Sequence, residues 1–169
     1  MKHLTLIRHA KSDWEYPDLD DHDRPLNKRG MEAAPRVGNY LRKKGVRPDV
    51  LLSSTATRAI TTAGLIADEL QFNREIIQPL KELYLASIPD YEGIIRSISE
   101  TAGNEHVMIV SHNPGTHELA QHLTGGNSIQ RFITCAVAII ELDICHWGEI
   151  GPDCGRLEHF VTPRDIPVE

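Results

Sequence analysis

The feature that most limits the fold is an alternation that begins with the first residues. Short apolar runs, each too short for a helix of ordinary length, end in polar turn residues and are followed by an apolar stripe at helical spacing. HLTLIR (3–8), DVLLSS (49–54), EIIQPL (75–80) and HVMIVS (106–111) are the runs that helices separate. Between the first two lies SDWEYPDLDDHDRPLN (12–27), a loop rich in Asp and Pro, and then a predicted helix from the cap Asn27 to about 44. Met31, Ala34, Val37 and Leu41 give that helix its apolar stripe. Pro35 lies inside it, where a proline costs about 3 kcal/mol, so a kink or a late regular start is expected. Ser54 is read as the cap of a helix over 55–70 with Ala59, Ala63, Ile66 and Leu70 on one face. Pro89 and Asp90 open a third helix with Tyr91, Ile94, Ile95 and Ile98 inward. Asn113 and Pro114 fit the cap and first position of a fourth, ending near 124. TCAVAIIEL (134–142) and RLEHFV (156–161) are late strands, and the in-out alternation of the second suits an antiparallel edge. The expected architecture is α/β: a single-domain, three-layer α/β/α sandwich over residues 1–169, with a mostly parallel central sheet and an antiparallel edge.

Composition removes several classes of function. Net charge is 18 − 24 = −6 with no basic run, which argues against nucleic acid as a partner. No stretch approaches the roughly 20 apolar residues of a membrane span. The start, MKHL, enters a strand directly and lacks the pattern of a secretory signal, so a cytoplasmic location is expected. Cys135, Cys145 and Cys154 form no CxxC pair and read as reduced thiols. Nine histidines are scattered without metal-ligand spacing, and His3, His22, His106, His117, His122, His146 and His159 read as surface or structural groups.

His9 and His112 differ by position. LIRHA ends a strand at His9, LLSSTATRA puts Arg58 in the first turns of a helix, and MIVSHNPG places His112 between a strand and a helix start. In open α/β sheets ligands bind beyond the carboxyl ends of the strands. If these strands are parallel neighbours, Arg8, His9, Arg58 and His112 converge there, joined by the N–H donors of helix N-termini. Two guanidinium groups and two imidazoles aimed at one point describe a site for a small dianion, most naturally a phosphoryl group.

These residues resemble the histidine phosphatase superfamily, whose fold is that of the phosphoglycerate mutases. Its hallmark RHG has its counterpart in Arg8-His9-Ala10, and the alanine resembles the short bacterial branch of SixA phosphohistidine phosphatases. DRPLNKRG (23–30), SSTATRAITTA (53–63), ELYLA (82–86) and SHNPG (111–115) follow in the family's order. The resemblance implies catalysis by His9, Arg8, Arg58, His112 and Glu82. His9 would be a neutral nucleophile forming a phosphohistidine. Arg8, Arg58 and His112 would bind the phosphate oxygens, and Glu82 would be the general acid, with Asp13, Asp18, Asp20, Asp21 and Asp23 as competitors. No cofactor is expected, and no metal, because the arginines do the charge work. Lys11 and Ser12 are expected near the rest of the substrate. Arg24 is expected to lock the loop to an aspartate rather than to bind substrate, and Asn113 to cap a helix. The short chain lacks the long insertions that roof larger members, so an open site is expected. That suits a phosphatase, with protein phosphohistidine among its expected substrates and a phosphorylated protein or a small phosphomonoester as its substrate partner. The alternatives are a phosphoglycerate-mutase-type phosphotransferase, a small-molecule phosphomonoesterase, and a non-catalytic phosphoprotein-binding module.

Overall fold

The computed structural model describes residues 1–101 and 103–169. Six strands, β1 (Lys2–Arg8), β2 (Val50–Ser54), β3 (Gln78–Leu80), β4 (His106–Ser111), β5 (Val137–Leu142) and β6 (Gly155–Val161), form one sheet in the order β3-β2-β4-β1-β5-β6. The first four are mutually parallel, and β5 and β6 add an antiparallel side, as the sequence pattern predicts. Helices α1 (Lys28–Lys43) and α2 (Thr57–Leu70) cover one face, where Ala34, Val37, Leu41, Ala63 and Ile66 pack with Ile7, Leu51, Met108 and Val137. Helices α3 (Ile88–Arg96) and α4 (Gly115–Thr124) cover the other, where Tyr91, Ile95, Leu119 and Leu123 pack with Leu4, Leu6, Leu52, Ile109 and Ile140. Successive residues of β1 thus face opposite cores, which is why Leu4, Thr5, Leu6 and Ile7 are all buried. Among the described residues no helix is long and apolar enough to cross a membrane.

Several local expectations shift. Helix α1 runs unbroken through Pro35 from Lys28, with Asn27 Oδ1 accepting from Gly30 N at 2.9 Å as its cap. Its buried face is Gly30, Ala34, Val37, Gly38 and Leu41, while Met31 is exposed. Strand β3 keeps only three residues, because Arg74–Ile76 form a 3-10 turn. Its Pro79 is tolerable because β3 is an edge strand. Helix α2 begins at Thr57 and not at 55, with Ala56 at its cap position. Asn113 caps nothing: α4 begins at Gly115 after Pro114, and Asn113 Nδ2 donates instead to Phe132 O at 2.8 Å.

This topology creates the crevice. β4 lies between β2 and β1, all three parallel, and Ser54, Ser111 and Arg8 are their last residues. The chain leaves β1 and β2 toward α1 and α2 on one face, and leaves β4 toward α4 on the other. Such a reversal opens a cleft at the carboxyl edge of the sheet.

Candidate active site

His9 is the first residue beyond β1, and its N–H donates to Ser111 O at 2.9 Å, which locks it beside the end of β4. The next amide, Ala10 N–H, donates to Thr62 Oγ1 of α2 at 3.0 Å. The ring therefore has little freedom, and it is only 7% exposed. Its Nδ1 lies 2.7 Å from Ala10 O. A carbonyl oxygen only accepts, so Nδ1 carries the ring proton and Nε2 holds the free lone pair. Arg58 Nε approaches that Nε2 at 3.4 Å. Burial is the largest cause that lowers the His9 pKa, to about 4, with Arg58, Arg8 and Arg24 adding to it against the opposing Ala10 hydrogen bond. His9 is thus a neutral imidazole near pH 7, the state a nucleophile requires.

The other three predicted residues gather around it. The ring of His112 stands 5.1 Å from that of His9, and its Nε2 is 2.8 Å from Ser54 Oγ. Burial first, then His9 and Arg58, lower its pKa to about 3. Arg8 Nη1 donates to Phe132 O at 3.1 Å, and burial first and Arg58 second lower its pKa. Arg58 is 3% exposed, and its Nη2 donates to Asp21 Oδ2 at 2.9 Å while Nη1 donates to the Asp21 carbonyl. Among the described residues, Arg8 Nε and His112 Nδ1 are buried with no hydrogen-bond partner. Buried polar atoms without partners are rare in folded proteins, and both residues line the cavity that an oxyanion would enter.

A cavity of about 330 Å³ opens here, lined by Arg8, His9, Arg58 and His112 together with Lys11, Ser12, Trp14, Arg24, Leu85, Asn113 and Thr134. Lys11 and Ser12 reach it, as expected. Arg24 locks the loop, as expected: Nε donates to Asp21 Oδ1 at 3.1 Å and Nη1 to Ser12 Oγ at 2.7 Å. It also lines the cavity. Glu82 does not. It is exposed in the 3-10 turn Lys81–Leu83, outside the cavity lining, so the structure does not bring the expected general acid to His9. Of the five aspartates that competed for the role, Asp21 meets the site as an ionised anchor. Hydrogen bonds from Tyr84, then Arg58 and Arg24, hold its carboxyl well below the usual range, so it has no proton to give.

Tyr84 is a site neighbour that the residue pattern did not single out. Its hydroxyl donates to Asp21 Oδ2, and its ring meets His112 edge-on at 5.3 Å. No period in the sequence marks it: Leu83 ends the 3-10 turn buried, and Tyr84 just after it turns toward Asp21 and His112.

Known proteins resemble this chain in sequence and in fold. A family model for the histidine phosphatase superfamily (branch 1) matches residues 4–93. An uncharacterized chloroplastic protein of Arabidopsis thaliana is 31% identical over 96% of this chain and 78% of its own length. An uncharacterized protein of Mycobacterium tuberculosis is 33% identical over 94% of this chain and 100% of its own. Phosphoglycerate mutase 1 of Saccharomyces cerevisiae is 38% identical, but over only 41% of this chain and 29% of the mutase. Among solved structures, the protein histidine phosphatase SixA complexed with tungstate superposes with a TM-score of 0.81 at 21% identity, covering 96% of this chain and 97% of that one. A SixA phosphohistidine phosphatase candidate from Agrobacterium tumefaciens gives 0.80 at 26%, covering 96% and 98%. The family model alone spans more than half of the 169 residues, including three strands and the Arg8-His9 pair, and the chain therefore belongs to the histidine phosphatase superfamily, branch 1.

Proposed function

We propose that this chain is a phosphatase that carries the phosphoryl group transiently on His9 Nε2, and that its substrate is phosphohistidine on a protein. The Nε2 lone pair attacks phosphorus while the bond to the leaving group breaks. Water then attacks the phosphohistidine, inorganic phosphate departs and the imidazole is regenerated. Arg8, Arg58 and His112 surround the equatorial oxygens with fixed donors, so little reorganisation is needed as charge redistributes. His112 is neutral at rest, and a bound dianion favours its protonated form, which adds a third cation when it is needed.

One observation carries the choice of substrate: among the described residues, no carboxyl group lines the cavity. An alkyl phosphate ester releases a poor alkoxide and needs an enzyme acid beside the leaving oxygen. A phosphoramidate such as phosphohistidine brings its own proton on the second ring nitrogen and leaves as neutral imidazole. The fold likeness to SixA, whose structure holds the tetrahedral anion tungstate, supports the same reading. The test has two parts. Acid quenching after incubation with an aryl phosphate is expected to destroy the labelled enzyme and alkali to preserve it, with no label in His9→Ala. Turnover of a phosphohistidine peptide is expected to exceed that of a phosphoserine peptide by a large margin. An acid-stable label, or equal turnover of the two peptides, contradicts the proposal.

A further inference from the structure

Two large apolar side chains line the mouth of the catalytic cavity while remaining mostly exposed. Trp14 is 75% exposed and Leu85 is 59% exposed, and they come from different loops. Single exposed apolar residues are common on protein surfaces. These two line one cavity and are held in place. The base of Trp14 is fixed by the Asp13 N–H bond to Pro25 O at 2.8 Å and by the Ser12–Leu26 bridge. Its ring lies over the Arg24 guanidinium at 3.5 Å, and Arg24 is only 7% exposed and tied to Ser12 and Asp21. One face of the indole therefore rests on a rigid cation.

Leu85 is held by its backbone. Its φ is +53°, a region that costs a bulky residue free energy and persists only where the surroundings enforce it. The surroundings do so on both sides. Leu83 O accepts from Ser111 Oγ at 2.8 Å, the Tyr84 hydroxyl is bound to Asp21, and Ala86 O sits so close to Gly115 that a Cβ there would approach it to 2.3 Å. The chain accepts strain and keeps a leucine, where glycine would be relaxed, and the side chain lines the cavity that holds His9.

We propose that Trp14 and Leu85 form an apolar clamp that selects a planar ring as the leaving group. The proposal rests on the phosphatase reading above and deepens it by naming the specificity residues. The phosphoryl group occupies the cationic floor, and the departing ring lies against the indole and the leucine. A second hollow of about 200 Å³, lined by Trp14, Tyr16, Pro17, Leu19, Asp21 and Arg24, continues from the indole and offers apolar surface to a chain that carries the ring.

The test measures preference in two independent ways. In the first, kcat/KM is compared for phenyl phosphate and glycerol phosphate in the wild type, Trp14→Ala, Trp14→Phe and Leu85→Ala. The ring-to-alkyl ratio is expected to fall about fivefold or more in Trp14→Ala, less in Leu85→Ala, and to stay near wild type in Trp14→Phe. A purely structural role of Trp14 would slow both substrates alike and leave the ratio unmoved, which overturns the clamp. In the second, calorimetry on His9→Ala compares the dissociation constants of phenyl phosphate and inorganic phosphate, with and without Trp14→Ala. This arm needs no turnover. A preference for phenyl phosphate that vanishes with Trp14 sustains the clamp even if the phosphatase reading fails, and an unchanged preference removes it. Free phosphohistidine compared with a phosphohistidine peptide tells a loose ring from one on a polypeptide: tighter peptide binding that depends on Tyr16 and Leu19 supports the adjoining hollow, and equal binding limits the site to the ring.

Discussion

Asp21 ties the loop that follows β1 to the floor of the crevice. One carboxylate oxygen accepts from Arg58 Nη2 at 2.9 Å and from the Tyr84 hydroxyl, and the other accepts from Arg24 Nε at 3.1 Å. Arg58 thus has one orientation, with Nε aimed at His9. Replacing Asp21 by Asn keeps the shape but removes the charge that holds two guanidinium groups. A lost hydrogen bond to a charged group is worth roughly 1.5–3 kcal/mol, so kcat/KM is expected to fall about 10- to 100-fold. Asp21 acts through Arg58, so Asp21→Asn made in an Arg58→Ala background should add little, which a double-mutant cycle on kcat/KM reads directly. A full additive loss would mean that Asp21 works by another route. Arg8, His9, Arg58 and His112 were legible in the sequence because each stands at a strand end or a first helical turn, where the fold class dictates the destination. Asp21 was not distinguishable from its four neighbours, because a loop has no period that says which side chain faces inward. Glu82 was misjudged for a related reason: it lies close to a strand end, but a single 3-10 turn aims it at solvent.

At the scale of elements, the entry of α1 sets the position of the active-site loop. Asn27 N–H donates to Lys11 O at 2.9 Å, and Gly30, in the first turn, lies so close that a Cβ would meet the same oxygen at 2.2 Å. Neither partner is a flexible tip, so the backbone of the loop carrying Lys11 would have to move. Gly30→Ala is expected to destabilise the protein by about 1–3 kcal/mol as overpacking, and to slow turnover because the displaced loop is the one that follows His9. Gly93, inside α3, is the control: a Cβ there meets nothing within 4 Å. Gly93→Ala should instead stabilise by roughly 0.5–1 kcal/mol through helix propensity. Urea unfolding of both variants, with midpoints compared at unchanged slope, checks the pair, and equal signs would refute the packing argument. The alternation of strands and helices was readable because apolar runs and helical stripes have different periods. Strand β3 was overread because EIIQPL is apolar in composition, yet its first residues form a turn at the exposed edge of the sheet. Pro35 proved compatible with an unbroken α1, whose buried stripe passes beside it through Ala34, Val37 and Gly38.

The molecule as a whole carries net charge −6 and still gathers Arg8, Arg24 and Arg58 around one cavity at the carboxyl edge of its sheet. Histidines buried in the neutral state are part of that arrangement. Burial lowers His9 and His106 to about 4 and His112 to about 3, from an ordinary value of 6.5. His106 lies at the opposite end of β4, with Nε2 2.7 Å from Thr5 Oγ1, so the effect is not confined to the crevice. Between about pH 6.5 and 4 the unfolded chain binds protons at these positions and the folded chain does not. Stability therefore rises with pH across that window: the contribution is fully present above about 6.5 and is lost as pH falls toward 4. The melting temperature is expected to be flat from about pH 8 to 7 and to fall steeply between about 6 and 4. Inorganic phosphate should offset part of the fall, because an anion held by Arg8 and Arg58 favours the protonated form of His112 and binds only the folded state. His106→Asn should make the pH slope shallower without changing how phosphate shifts the melting temperature, since His106 is remote from the cavity. Thermal melts across this range, with and without phosphate, decide the matter. A melting temperature that holds steady or climbs on acidification would mean that the imidazoles are not buried neutral, and the nucleophilic state assigned to His9 would lose its physical basis.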